Sequence, residues 1–226
     1  MNRLNHFLAK CVVRLVEKTK QTYEKINLYY LRGELGRLGS NAYIEFPATV
    51  MHPACMSIGN NFTARSGLKI RGYTSFAGAH YTPVIVIGDN VHLATDVTIN
   101  STHRIEIGDN TAIGAGTKLM DHMHGLPGYE DILTLVMERI LTSKGGVKVK
   151  HNVMIGAGVV VMPGVEIGEN CIIGANSVVT RSIPPNSIAA GIPARVIKTI
   201  VPGGPGVEAS PGAGAAERAK HNGISQ

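Results

Sequence analysis

The 226-residue chain has no tryptophan, and aromatic residues make up only 5% of it, so its core is not built around large rings. Cysteine is almost as scarce. Cys11, Cys55 and Cys171 are too few, and odd in number, for a disulfide scaffold, which points to a reducing, cytoplasmic compartment. Long apolar runs are also missing. Near the N-terminus they reach only lengths like Cys11-Val12-Val13, so neither a membrane-spanning helix nor a secretory signal is expected. Charged residues are 17% of the chain and apolar ones 44%, a balance that excludes a disordered polymer. What the chain has in quantity is glycine, 27 in all. The length allows one large domain or two small ones.

The net charge of +6 is concentrated at one end. Residues 1–32 hold seven basic side chains (Arg3, Lys10, Arg14, Lys18, Lys20, Lys25, Arg32) against Glu17 and Glu24. With the remainder nearly neutral, the basic balance does not indicate a nucleic-acid partner. Leu4, Leu8, Cys11 and Leu15 recur at helical spacing, with Phe7 and Val12 beside them. This predicts a basic amphipathic helix that packs on the rest of the protein or lies on an anionic membrane surface. The stretch Asn27–Gly39, with Tyr29, Tyr30, Leu31, Leu35 and Leu38, is expected to link that helix to the next element and to cover its open end.

The middle of the chain repeats every six residues. Val149, Ile155, Val161, Ile167, Ile173 and Val179 form one series; Ile87, Leu93 and Ile99 continue, after a two-residue slip, as Ile107, Ile113 and Leu119. An outlying copy starts at Ile58 and passes through Ala64 to Ile70. Two positions before the aliphatics stand Val153, Val159, Val165, Cys171 and Ser177. A period of six fits neither an α-helix nor a simple alternating strand. It predicts an all-β solenoid of short strands, three hexapeptides or about 18 residues per triangular coil, with aliphatics stacked inside. Gly88-Asp89-Asn90, Gly108-Asp109-Asn110 and Gly168-Glu169-Asn170 supply corners, because Gly and Asn tolerate positive φ. Cys171 occupies an inward position and is expected to fill core space.

Three stretches carry a family likeness: Val153-Met154-Ile155-Gly156-Ala157-Gly158, Ile173-Gly174-Ala175-Asn176-Ser177, and the closing run from Ile183-Pro184-Pro185 to Gly191-Ile192-Pro193-Ala194-Arg195-Val196-Ile197-Lys198. Over roughly residues 40–200 the chain resembles the hexapeptide-repeat acyltransferases, in particular the branch of maltose and galactoside O-acetyltransferases and of surface-polysaccharide O-acetyltransferases. The resemblance implies a left-handed parallel β-helix, although general crossover rules favour the opposite hand. It also implies a homotrimer whose three active sites lie in grooves between subunits, with acetyl-CoA along each groove and a carbohydrate acceptor such as a surface-polysaccharide precursor.

The periodicity breaks after Leu119 and resumes at Val147. Within residues 120–146 an extruded loop begins with Asp121-His122-Met123-His124-Gly125 and passes Pro127 and Gly128 to a short helical piece around Ile132–Leu141. The other histidines (His6, His52, His80, His92, His103, His151, His221) stand singly. Acetyl transfer to an alcohol needs a base, and a neutral imidazole suits the task. The resemblance assigns that role to a histidine at the loop root: ungapped counting favours His124, and one small gap moves it to His122. The other histidine or Asp121 would orient the base, with a turn role as the plainer reading of Asp121. By the same resemblance, backbone near Gly156, Ala157 and Gly158 would hold the oxyanion and the pantetheine arm. Ala175 would join that surface, Arg195 and Lys198 would meet coenzyme phosphates, and Asn100 would contact the sugar. Met154 stands where many relatives carry Trp, which leaves the acceptor geometry open. No metal is expected.

The domain plan is a helix and cap over 1–39, a β-helix acyltransferase domain over 40–200 and a disordered tail over 201–226, where six Gly and three Pro leave little to bury. Attachment to the inner face of the membrane would go through residues 1–32. Rival readings are transfer to an amino sugar, serine or xenobiotic, a metal-dependent solenoid of the gamma carbonic anhydrase type, and a scaffold without coenzyme binding.

Overall fold

A computed structural model describes residues 3–125 and 133–200, with side chains from Lys10 onward in the N-terminal helix. The tail 201–226 and the loop segment 126–132, including Pro127, Gly128 and Ile132, lie outside the described residues.

The six-residue period becomes a left-handed parallel β-helix with three faces, formed by sheets of six, eight and six strands. On the first face Leu38, Ile58, Ile87, Ile107, Val149 and Ile167 stack in register. On the second, Ile44, Ala64, Leu93, Ile113, Ile155, Ile173 and Ala189 do the same. Val50, Ile70, Ile99, Leu119, Val161 and Val179 stack on the third. Nearly all these side chains are buried, Val50 and Leu38 being partly so, and Val153, Val159, Val165, Cys171 and Ser177 fill the positions between them. The narrow triangle is full of branched aliphatics, which is why it has no use for tryptophan. Cys171 is core filling as expected, and its Sγ–H donates to the Pro184 carbonyl.

One corner is an asparagine ladder. Asn41, Asn61, Asn90 and Asn110 each adopt φ near +55°, and their amides bond one to the next between coils. Asn152, Asn170 and Asn186 continue it in the upper coils. Each side chain satisfies its neighbour while tolerating a left-handed backbone that β-branched residues resist.

The coils are mostly longer than 18 residues. Subtracting the numbers of stacked residues gives 20 for Leu38 to Ile58 and for Ile87 to Ile107, against 18 for Val149 to Ile167. The long excursions leave between the third and first faces. One is the expected insertion between Met120 and Val147, which contains a short antiparallel pair (Met123–His124 with Leu141–Thr142) and, within the stretch expected to hold a short helical piece, a 3-10 turn at Val136–Glu138. The second was not foreseen: between Gly72 and Val84 a β-hairpin pairs Ser75–Phe76 with Ala79–His80. Both leave the same corner, and they touch, since Tyr81 Oη accepts the Leu141 N–H at 2.8 Å.

Helix α1 runs Arg3–Glu34, through most of the stretch expected to be a linker. Leu31 and Leu35 are buried and Leu28 packs beside them, so these leucines cap the first coil. Tyr29 and Tyr30 contribute nothing to the cap and point to solvent. The other end is closed differently: Ser187–Gly191 and Ala194–Thr199 form an antiparallel pair at the edge of the second face.

Candidate functional site

Alternation along the third face explains the geometry of the loop root. Leu119 points inward and Met120 outward, and Asp121 points inward again, fully buried. A carboxylate in that position must be compensated, and the coil below does so. Ser101 Oγ donates to Asp121 Oδ2 at 2.6 Å, the Thr102 N–H to Oδ1 at 2.8 Å and the His103 N–H to Oδ2 at 2.9 Å. The Thr102 hydroxyl adds a longer bond at 3.3 Å, and His122 Nδ1 lies 2.9 Å from Oδ1. Burial works to raise the carboxyl pKa, but the hydrogen bonds from His122, Ser101, Thr102 and His103 outweigh it and hold the group below the usual carboxylate range. Asp121 is therefore an ionised acceptor, not a turn residue satisfying only local backbone.

An ionised Asp121 places the His122 proton on Nδ1 and leaves the lone pair on Nε2. The His122 ring is largely buried and packs edge-on against Tyr73, with ring centroids 5.4 Å apart. His124 differs. It is exposed, its ring stands edge-on to Phe76 at 5.1 Å, and among the described residues no carboxylate bonds to it. Both histidines line a cavity of about 500 Å3 whose walls include Tyr73, Phe76, Met120, Met123, Met137 and Met162. Asn100 lines the same cavity, and its Oδ1 is buried without a hydrogen-bond partner among the described residues.

The loop root, both histidines and Asn100 are thus brought together. The other predicted residues are not at this corner. Gly156, Ala157 and Gly158 form the turn between the second and third faces, with Gly114-Ala115-Gly116 below and Ala175 above. The glycines there have a structural reason: a Cβ on Gly156 would come within 2.6 Å of the Ala175 nitrogen, and one on Gly114 within 2.5 Å of the Ala157 nitrogen. The N–H groups of Gly156 and Gly158 already bond to Ile173 and Ala115 carbonyls, so they are not free to hold an oxyanion. The Ala157 N–H has no partner among the described residues, and Ala157 and Ala175 are exposed. Met154 is exposed on the second face, and Arg195 and Lys198 are exposed on the last strand.

Sequence reasoning missed Ser101, Thr102 and His103, the groups that fix Asp121. A signal was present: Ser101 precedes Asp121 by 20 residues, the spacing that stacks Ile99 under Leu119. It also missed Tyr73 and Phe76, for which the hairpin left no periodic trace. Among the described residues no three His, Cys, Asp or Glu side chains cluster as a metal would require.

These stacked rungs, with a polar pair at the root of an extruded loop, define a hexapeptide-repeat transferase. The chain belongs to that family: residues 146–181 match the bacterial transferase hexapeptide (six repeats). It is similar to WbbJ of Escherichia coli (strain K12), an O-acetyl transferase assigned to lipopolysaccharide biosynthesis, with 32% identity over 69% of this chain and 77% of that protein. It is 35% identical to the galactoside O-acetyltransferase of the same organism over 72% of this chain and 63% of the relative's length. Among solved structures, a variant of AntD, an N-acyltransferase from Bacillus cereus in complex with dTDP-4-amino-4,6-dideoxyglucose and coenzyme A, superposes with a TM-score of 0.61 at 25% identity, covering 74% of this chain and 85% of that one.

Proposed function

We propose that the protein transfers an acetyl group from acetyl-CoA to a hydroxyl of a carbohydrate, a precursor of a surface polysaccharide, with His122 as general base. The observation that carries this reading is the buried Asp121 carboxylate 2.9 Å from His122 Nδ1 at the edge of the 500 Å3 cavity. In the reaction His122 Nε2 takes the proton of the acceptor hydroxyl while its oxygen attacks the thioester carbonyl. The tetrahedral intermediate then collapses, the carbon–sulfur bond breaks, and the imidazolium returns the proton to the departing thiolate. Asp121 keeps the ring in the productive tautomer and stabilises its transient charge. Asn100 Oδ1, buried and unsatisfied, would accept a hydrogen bond from an acceptor hydroxyl.

The Ala157 N–H suits the oxyanion, and the small-residue ledge at Gly156, Ala157, Gly158 and Ala175 suits a pantetheine arm, with Arg195 and Lys198 towards the phosphates. In one chain this ledge and His122 belong to different corners. A homotrimer in which His122 of one protomer faces the ledge of the next reconciles the two. The free thiols of Cys11, Cys55 and Cys171 fit a cytoplasmic setting.

The test is thiol release from acetyl-CoA across a panel of sugars and nucleotide sugars. Turnover with a hydroxyl acceptor, lost in His122→Ala, supports the reading; turnover unchanged in that variant refutes it. The likeness to AntD favours a second reading, N-acylation of an amino sugar, and the same panel decides it by whether only amine-bearing acceptors react.

A further inference from the structure

Helix α1 extends far beyond what is needed to cap a solenoid. At 32 residues it is about 48 Å long, yet of its described side chains only those from Lys20 onward meet the β-helix. Lys20 Nζ bonds Glu45 at 2.8 Å, Tyr23 packs edge-on to Phe46, and Leu28 and Leu31 reach the core. Every side chain from Lys10 to Lys20 is exposed.

The helix has three distinct sides. Lys20, Glu24, Asn27, Leu28 and Leu31 form the side towards the solenoid. Counting 100° per residue, Cys11, Val12, Leu15, Val16, Ile26 and Tyr29 fall with Tyr30 within an arc of about 140° away from it. That side is open to solvent, with Leu15 67%, Ile26 63% and Tyr29 82% exposed. Lys10, Arg14, Lys18, Lys25 and Arg32 occupy an arc of about 80° beside it, with no acidic residue among them.

We infer that this helix lies in the plane of an anionic lipid bilayer, its apolar stripe in the acyl boundary and its basic stripe at the headgroups. Three features select lipid over a second copy of the chain. The cations form one row with no ion-pair partner among the described residues, complementary to a negative surface, and copies of the helix packed side by side would bring like charges together. Tyr29 and Tyr30 put amphipathic rings on the apolar side, where a polar tip and an apolar body suit an interface. The lysines and arginines border the apolar arc, so their stems can lie along acyl chains while the charges stay at the headgroups. Among the described residues no helix is long and apolar enough to cross a membrane. The inference does not depend on the acceptor or on the catalytic base.

The test uses the full chain and vesicles of phosphatidylcholine, alone or with about a third phosphatidylglycerol. Retention on the anionic vesicles should exceed retention on neutral ones by about tenfold or more and fall as salt rises. Leu15→Glu with Ile26→Glu, and separately Lys10, Lys18 and Lys25→Gln, should each lower it about tenfold. These side chains support no tertiary packing, so the melting temperature should hold. Tyr29→Trp introduces the chain's sole tryptophan, whose emission should shift to the blue on anionic vesicles. Absence of retention, equal retention on both vesicle types, or a smaller oligomer by sedimentation in the Glu double variant would overturn the inference, the last by assigning the stripe to another copy of the chain.

Discussion

Asp121 stands one coil above Ser101 and accepts its hydroxyl at 2.6 Å, so a carboxylate is buried two residues beyond the inward Leu119, at the end of the third face. The bond ties the loop root to the body of the solenoid. Together with the Thr102 and His103 N–H groups it also fixes the direction in which Asp121 presents Oδ1 to His122.

Asp121→Asn tests this arrangement twice. An amide presents donors to groups that are themselves donors, so one or two buried N–H or O–H groups lose a partner, at a cost of about 2–4 kcal/mol in chemical denaturation. Acetyl transfer should fall on the order of a hundredfold or more, because the ring loses its tautomer preference. The pH dependence has a definite sign. The folded carboxyl pKa lies below its unfolded value of about 3.9, so its stabilisation is complete well above that value and disappears as pH falls through the lowered folded value. Acid unfolding of Asp121→Asn should lack that component; an acid limb of unchanged steepness would contradict the placement.

His122 and His124 should separate cleanly. His122→Ala removes the oriented base and should lower kcat by roughly 10²–10⁴-fold. His124→Ala removes an exposed ring that packs on Phe76, and should change kcat less than about tenfold, with a larger effect on the acceptor KM. Equal losses in both variants would mean that the base is not assigned by the carboxylate contact.

The solenoid was legible because inward aliphatics recur every six residues within each run, from Ile58 through Val179, and a narrow triangular core tolerates little else. The coil length was harder to read. The additional residues fall at the corner after the third face, for instance at Ser101-Thr102-His103, where they disturb no aliphatic period within a face. The hairpin at Ser75–His80 escaped for the same reason, since Ile70 and Ile87 are both in phase with their own coils. The choice between His122 and His124 was not decidable by counting, because both follow the outward phase set by Met120. What separates them is Asp121, and its partners come from another coil.

Met154→Trp restores the flat ring that many relatives are expected to carry. Met154 is 58% exposed on the second face between Ala112 and Ile172, so the larger side chain meets no core and should change stability by no more than about 0.5 kcal/mol. If coenzyme or acceptor lies against this face, the KM of one of them should change several-fold while kcat holds. No change in either would remove Met154 from the binding surface.

Gly156→Ala and Gly116→Ala compare stacking with backbone conformation. At Gly156 the new methyl would meet the Ala175 nitrogen at 2.6 Å and its Cα at 2.8 Å, both backbone atoms, so adjacent coils must separate. The expected cost is about 1–3 kcal/mol. At Gly116 a methyl meets nothing within 4 Å, and the penalty is confined to a φ of +70°, on the order of 1 kcal/mol. Thermal melts should therefore rank Gly156→Ala below Gly116→Ala and both below the unmodified chain. Gly156→Ala should lower coenzyme affinity as well, because the Ala157 N–H moves with the turn. A fully stable Gly156→Ala that still binds coenzyme poorly would show that this glycine serves the ligand and not the stack.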